Sequence, residues 1–221
     1  MPTVSACFHA ADAPVDTARQ RIGDDVVAGN TYDKYHTGNP LARYLMNGFM
    51  RNFNELLHLN EGERVLEVGC GEGFLMRHMA RRYPGITMAG FDLSFGIVHM
   101  ARHQVCPDIS FLQASAYELP WEDESWDVVV ACEVLEHLER PGQALKEMRR
   151  VCRRGCLVSV PREPFWSLAN IARLQYLRHL GNTPGHIQRW GGRDFAELLS
   201  RHFDVERAKN PFPWTMIWGT K

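Results

Sequence analysis

The 221-residue chain has no apolar stretch approaching the ~20 residues that a membrane-spanning helix needs. Its first residues lack the charged-then-apolar layout of a secretory signal, so a cytoplasmic protein is expected. Disulfide and zinc frameworks are also missing. Six cysteines, Cys7, Cys70, Cys106, Cys132, Cys152 and Cys156, are scattered with no C-x-x-C pair, which reads as reduced thiols. Neither sign of charge is in excess: 25 basic side chains against 26 acidic ones leave a formal net charge of −1. That balance supplies no global pull toward nucleic acid or an anionic membrane, and neither is expected as a partner. Internal repeats, low-complexity tracts and a second-domain boundary are absent from the pattern. What remains is ordinary globular composition, 45% hydrophobic and 23% charged, in a chain long enough for a sizeable core.

The dinucleotide spacing G-x-G-x-x-G is missing too. In its place stands Val65-Leu66-Glu67-Val68-Gly69-Cys70-Gly71-Glu72-Gly73-Phe74. An apolar run over residues 64–68 reads as a buried strand, and Phe74-Leu75-Met76 opens a helical pattern, so the glycines form a strand-to-helix turn. Glu67 and Glu72 would set two carboxylates where a pyrophosphate wants bare N–H groups, which argues against a nicotinamide dehydrogenase. A cationic ligand with an amino group and a ribose fits better.

E-V-G-C-G-E-G resembles motif I of the class I S-adenosylmethionine (SAM)-dependent methyltransferases, and the order of the downstream strands and loops agrees. The resemblance covers roughly residues 62–160. It implies an α/β, Rossmann-like fold: a mostly parallel seven-stranded sheet with the last strand antiparallel and helices on both faces. It implies SAM as cofactor, S-adenosylhomocysteine as product, and Glu67, Gly69, Cys70, Gly71 and Gly73 at the cofactor.

Along the chain, residues 1–30 read as a loose arm or marginal helix, and 31–60 as a lid and helix ahead of a core over 61–221. Asn39-Pro40 marks a helix start, with Leu41, Tyr44, Leu45, Phe49, Phe53, Leu56 and Leu57 on one apolar face. In many small-molecule methyltransferases a segment ahead of motif I closes over the site, which suggests Tyr32, Tyr35 and His36 as lid residues; a plain surface loop is the alternative. A helix over 74–82 ends before Tyr83-Pro84-Gly85. Residues 86–92 form a second strand ending in Asp92, about 20 residues after the glycine turn, where a ribose diol is held. Leu93 would then lie against the adenine. A helix over 95–103 and a strand over 109–113 come next. Ser115 and Ala116 fall in the family's adenine loop, with Ser115 where many members carry aspartate.

Residues 126–132 are the strongest strand, rich in valine, and run into Glu133-Val134-Leu135-Glu136-His137. Ligands bind beyond the carboxyl ends of such strands, which places Cys132 and Glu133 at the methionine end of SAM. A helix over 141–154 carries Arg149, Arg150, Arg153 and Arg154 as a solvated face, Gly155 stops it, and 156–161 is the fifth strand. Residues 162–193 then leave the common core, with one apolar helical stretch over 165–180; the family often places a substrate cap here, implying Arg162, Phe165, Trp166, Tyr176 and Trp190 as acceptor contacts. A helix over 193–203 and strands over 204–207 and 214–218 complete the sheet.

Methyl transfer from a sulfonium is an in-line displacement that needs alignment and exclusion of water, with a base only when the nucleophile is a hydroxyl. His137, His186 and His36 are the candidates for that base. No metal is required. If one is used, Glu133, Glu136, His137 and His186 resemble the set of small-RNA 2′-O-methyltransferases and, in part, of ubiquinone-pathway O-methyltransferases. The expected activity is methylation of an apolar or ring-bearing small-molecule acceptor, at oxygen, by a monomer or homodimer. The alternatives are an N- or C-methyltransferase, an RNA-end 2′-O-methyltransferase, and a non-catalytic SAM-binding protein.

Overall fold

In the computed structural model, residues 38–105, 109–174 and 176–221 are described. The lid candidates Tyr32, Tyr35 and His36, and the 1–30 arm, lie outside them. Seven strands form one sheet: β1 (Arg64–Val68), β2 (Thr87–Asp92), β3 (Ser110–Gln113), β4 (Trp126–Cys132), β5 (Cys152–Pro161), β6 (Asp204–Lys209) and β7 (Trp214–Thr220). Their order is β3-β2-β1-β4-β5-β7-β6. Strands β1 to β5 pair in parallel, whereas β7 pairs antiparallel to both β5 and β6. The fold class expected from the sequence is the one observed.

The pleat of β4 sorts its side chains between two cores. Val128 and Val130 join a cluster under α1 (Pro40–Leu56), α2 (Phe74–Arg82) and α3 (Phe95–Gln104). Val129 and Ala131 join the opposite cluster, with α4 (Pro141–Val151) and α6 (Gly192–Ser200). Both faces are thus covered, which is why β4 reads as a continuous apolar run. Each large side chain wholly removed from water in these clusters contributes roughly 1.5–3 kcal/mol.

Helix α1 begins as its sequence dictates: Asn39 Oδ1 accepts the Leu41 amide at 2.9 Å, with Pro40 in the first turn. Its buried face is Met46, Phe49, Phe53 and Leu56. Leu41 and Tyr44, expected on that face, are exposed. At the other end the Arg207 guanidinium donates to the Glu55 and Leu56 carbonyls, a cation at a helix C-terminus.

Two boundaries differ from expectation. Helix α4 stops at Val151 rather than at residue 154, and β5 starts at Cys152, which pairs with Trp126 across a register shift. Gly155 is therefore inside a strand. A Cβ there would meet the Gly219 carbonyl oxygen at 2.6 Å, so the residue serves close strand pairing and not helix termination. The expected solvated arginine face is an anchoring set. Arg150 pairs with Glu147 and Asp123, Arg153 with Asp127, and Arg154 with Glu63, while Arg149 donates to the His202 carbonyl. The single helical stretch expected over 165–180 is a short helix α5 (Phe165–Ala172) and then a separate 3₁₀ turn (Leu177–His179).

Candidate functional site

The strand order reverses between β1 and β4, and the carboxyl ends of β2, β1, β4 and β5 lie side by side there. At the end of β1 the chain turns through Gly69, Gly71 and Gly73, all with positive φ. A Cβ on Gly69 would stand 2.6 Å from Val134 Cγ2, so this turn and the β4 turn approach too closely for any side chain. The turn is tied to β2 by the Cys70 amide donating to the Phe91 carbonyl at 2.9 Å. Asp92 ends β2 with both carboxylate oxygens oriented: Oδ2 accepts the Gly71 amide at 3.2 Å and Oδ1 the Ser94 amide at 3.0 Å. The expected ribose ligand is thereby held at the glycine turn.

Glu67 lies buried beneath this turn. Burial, and then the Asp92 charge, push its carboxyl well above the usual carboxylate range, against a lowering hydrogen bond from the Met76 amide. Its Oε2 has no hydrogen-bond partner among the described residues. A buried carboxyl with one unused oxygen beside a second carboxylate and a glycine turn fits a ligand that presents amino and hydroxyl donors, as SAM does. Burial likewise raises the Cys70 thiol, so its contribution there is shape and backbone. Leu93 is exposed just beyond Asp92, its carbonyl accepting the Gln113 side chain at 2.9 Å. Ser115 Oγ accepts the Tyr117 amide at 3.2 Å, which sets the loop that also carries Ala116.

At the end of β4, Cys132 pairs with Ser159, and the next residue, Glu133, takes a left-handed conformation, φ 61°. Its carboxylate accepts the Ser159 hydroxyl at 3.1 Å and the Trp214 indole N–H at 2.8 Å. Those donors hold Glu133 as an oriented carboxylate. A 3₁₀ turn (Leu135–His137) comes next, with Glu136 buried. The Ile187 and Gln188 amides both donate to the Glu136 carbonyl, at 2.9 and 3.0 Å, and fasten the cap loop onto this turn. That fastening brings His186 to His137, ring centroids 4.8 Å apart and nearly perpendicular. His137 Nδ1 lies 2.9 Å from the Gly185 carbonyl oxygen.

Trp166 stacks on His186 at 5.9 Å and meets Trp214 at 5.9 Å, and Trp214 meets Phe49 at 5.2 Å. A continuous aromatic wall therefore runs from α1 to the two histidines. Phe49 and Ser159 are not among the site residues expected from the sequence. Phe49 is indistinguishable there from other members of an apolar stripe, whereas Ser159, a lone hydroxyl between valines in a buried strand, carries a readable signal.

Three of the cap residues expected at the acceptor have these surroundings. Trp190 is half-buried and packs on Phe195 of α6 at 5.6 Å, against the edge of the core. Tyr176 forms a left-handed turn whose carbonyl accepts the His179 and Gly181 amides. Phe165 is exposed, with the Arg162 guanidinium 4.6 Å over its ring and Phe212 at its edge. The four-residue metal set is corrected. Glu136, His137 and His186 each offer a ligand atom, all within 4.8 Å of one another, but Glu133 is not in the cluster because Ser159 and Trp214 hold it elsewhere. Two imidazoles and a carboxylate suit a divalent transition metal.

A methyltransferase-domain family model matches residues 66–160. The chain is 30% identical over 214 residues to the ubiquinone biosynthesis O-methyltransferase of Alkalilimnicola ehrlichii, covering 86% of this chain and 84% of that one. It is also 30% identical over 174 residues to the methyltransferase GfsG of Streptomyces halstedii, covering 71% of this chain but 60% of the relative's length. Among solved structures it is similar to the magnesium protoporphyrin IX methyltransferase of Synechocystis PCC 6803 with bound S-adenosylhomocysteine. That match has a TM-score of 0.63 at 17% identity and covers 85% of this chain and 91% of the other.

Proposed function

The chain belongs to the class I SAM-dependent methyltransferases, and from that premise we propose that it methylates a hydroxyl of an apolar or ring-bearing small molecule. SAM, when bound, supplies an electrophilic methyl group on a sulfonium. Asp92 would hold the ribose, the Gly69–Gly73 turn and Glu67 the amino-acid portion, and Leu93 with Ser115 the adenine.

The orientation of His137 carries the oxygen reading. A carbonyl oxygen only accepts, so Nδ1 is the donor in the contact with Gly185, and Nε2 is the nitrogen that would act on a hydroxyl proton. The aromatic wall of Trp166, Trp214 and Phe49 favours a flat or apolar acceptor beside it and excludes water from the transfer. The O-methyltransferase among the relatives supports the same choice.

The clustering of Glu136, His137 and His186 favours a second reading, in which a divalent ion held by these three lowers the pKa of the acceptor hydroxyl. Turnover assays with paired hydroxyl and amine acceptors, with and without chelator, test both. Turnover of the hydroxyl partner that survives chelation and collapses in His137→Ala supports the base. Loss on chelation with rescue by added divalent ion supports the metal. Preference for the amine, with His137→Ala fully active, contradicts both.

A further inference from the structure

Helix α3 carries two histidines that the candidate site does not use. Ile97, Val98 and Ala101 are buried, and Phe95, His99 and His103 share the opposite, solvent-facing side of the helix. Side chains four positions apart on a helix stand one above the next. Here they form a ladder of rings. Phe95 stacks on His99, centroids 6.4 Å apart with 22° between the planes, and His99 meets His103 edge to face at 4.5 Å. Among the described residues the two imidazoles meet each other and Phe95 and pair with no carboxylate.

Histidines at i and i+4 are how a helix offers two nitrogens to one ion, the spacing of zinc-binding H-x-x-x-H helices. Two imidazole nitrogens each about 2.0–2.1 Å from one tetrahedral ion put their ring centres roughly 5 Å apart, and these stand at 4.5 Å. Exposed side chains open by that much without disturbing the core. A fixed cation beside the pair would oppose such an ion. Arg102 is the one charged residue of α3, and its guanidinium is fastened to the Phe111 carbonyl on β3, Nη2 at 2.6 Å and Nε at 3.0 Å. Imidazole nitrogen suits zinc, nickel and copper, whereas magnesium and calcium take oxygen ligands.

We propose that His99 and His103 chelate a divalent transition-metal ion of the zinc class on the outer face of α3, with water in its remaining positions. The site is separate from Glu136, His137 and His186, which lie on the turn after β4 and in the cap. An ion held by both rings spans one turn of α3 and, by binding the folded chain, stabilises it. That helix opens at Ser94, whose hydroxyl accepts the Ile97 amide and whose own amide donates to Asp92. The clamp therefore acts on the element that leads out of Asp92, and it requires neither cofactor nor acceptor.

The test is calorimetric titration of zinc chloride into the full-length His137→Ala/His186→Ala variant, which lacks the other cluster. One equivalent of zinc binds and raises the melting temperature, and magnesium chloride does neither. Adding His99→Ala or His103→Ala weakens zinc binding by at least about tenfold and removes the rise in melting temperature. Replacing the exposed His58 instead (His58→Ala) changes neither. His99 and His103 are exposed, so metal-free melts of their variants match the parent, which separates a lost ligand from a lost fold. In the otherwise native chain His99→Ala lowers the zinc stoichiometry by one, so the result does not depend on the double variant. Zinc binding that depends on neither histidine, or on only one of them, overturns the proposal, as does its absence.

Discussion

The ring of His137 is held by the backbone of the cap: its Nδ1 sits 2.9 Å from the carbonyl oxygen of Gly185, 48 residues later in the chain. The matched methyltransferase domain supplies the histidine, and a segment outside it orients the ring through Nδ1. His137→Ala should lower kcat by 10²–10⁴-fold with a hydroxyl acceptor, the usual contribution of a positioned base, while SAM affinity stays within about twofold. Steady-state kinetics beside calorimetry separate the two. A variant with unchanged kcat removes His137 from the chemistry.

Trp214 joins the last-built strand to the centre of the site through its 2.8 Å hydrogen bond to Glu133. Trp214→Phe retains a ring against Phe49 and Trp166 but removes that donor from a half-buried carboxylate. A loss of about 1–3 kcal/mol in unfolding free energy is expected by denaturant titration. A change within a few tenths of a kcal/mol would mean that the hydrogen bond adds little to stability.

The raised pKa of Glu67 makes stability depend on pH with a definite sign. Burial and Asp92 keep the folded-state carboxyl protonated above the pH at which the unfolded chain releases its proton, about 4.3. The contribution of Glu67 is therefore fully present below that pH and is lost as pH rises toward the folded value. Glu67→Gln cannot ionise. Its melting temperature, measured without cofactor, should gain on the wild type as pH rises from about 4 to 8; a constant difference contradicts the assignment.

Gly69 faces Val134 across the gap between the β1 and β4 turns. Gly69→Ala combines a left-handed φ of 63° with a Cβ 2.6 Å from Val134 Cγ2. The left-handed conformation alone costs roughly 1–2 kcal/mol. Adding Val134→Ala should relieve the clash but not that cost, so the double variant should melt between Gly69→Ala and Val134→Ala alone. Full recovery would show that the backbone conformation is not strained.

The parts of this molecule legible in its sequence are those governed by short-range rules. Helix α2 runs over Phe74–Arg82 as its glycine start and Tyr83-Pro84-Gly85 stop dictate, and β2 ends at Asp92. Two apolar periodicities, one for strands and one for helices, suffice for the sheet. The failures share a cause in tertiary packing. Gly155 looks like a helix stop because its role, close approach to Gly219, involves a strand 64 residues away. Trp190 looks like a cap aromatic because nothing local distinguishes a ring facing Phe195 from one facing a ligand. Glu133 looks like a metal ligand until Ser159 and Trp214, remote in sequence, claim its oxygens.

The turn of Gly69–Gly73 with Asp92 is the place where SAM should bind, and every other role assigned to the site depends on it. Isothermal titration calorimetry of the wild type and Asp92→Ala with SAM, S-adenosylhomocysteine and NAD tests it most directly. SAM and its product should bind and NAD should not, with SAM binding at least tenfold weaker in the variant, about 1.4 kcal/mol or more. Wild-type protein that binds no SAM, or an Asp92→Ala variant that binds it equally well, would contradict the assignment at its base.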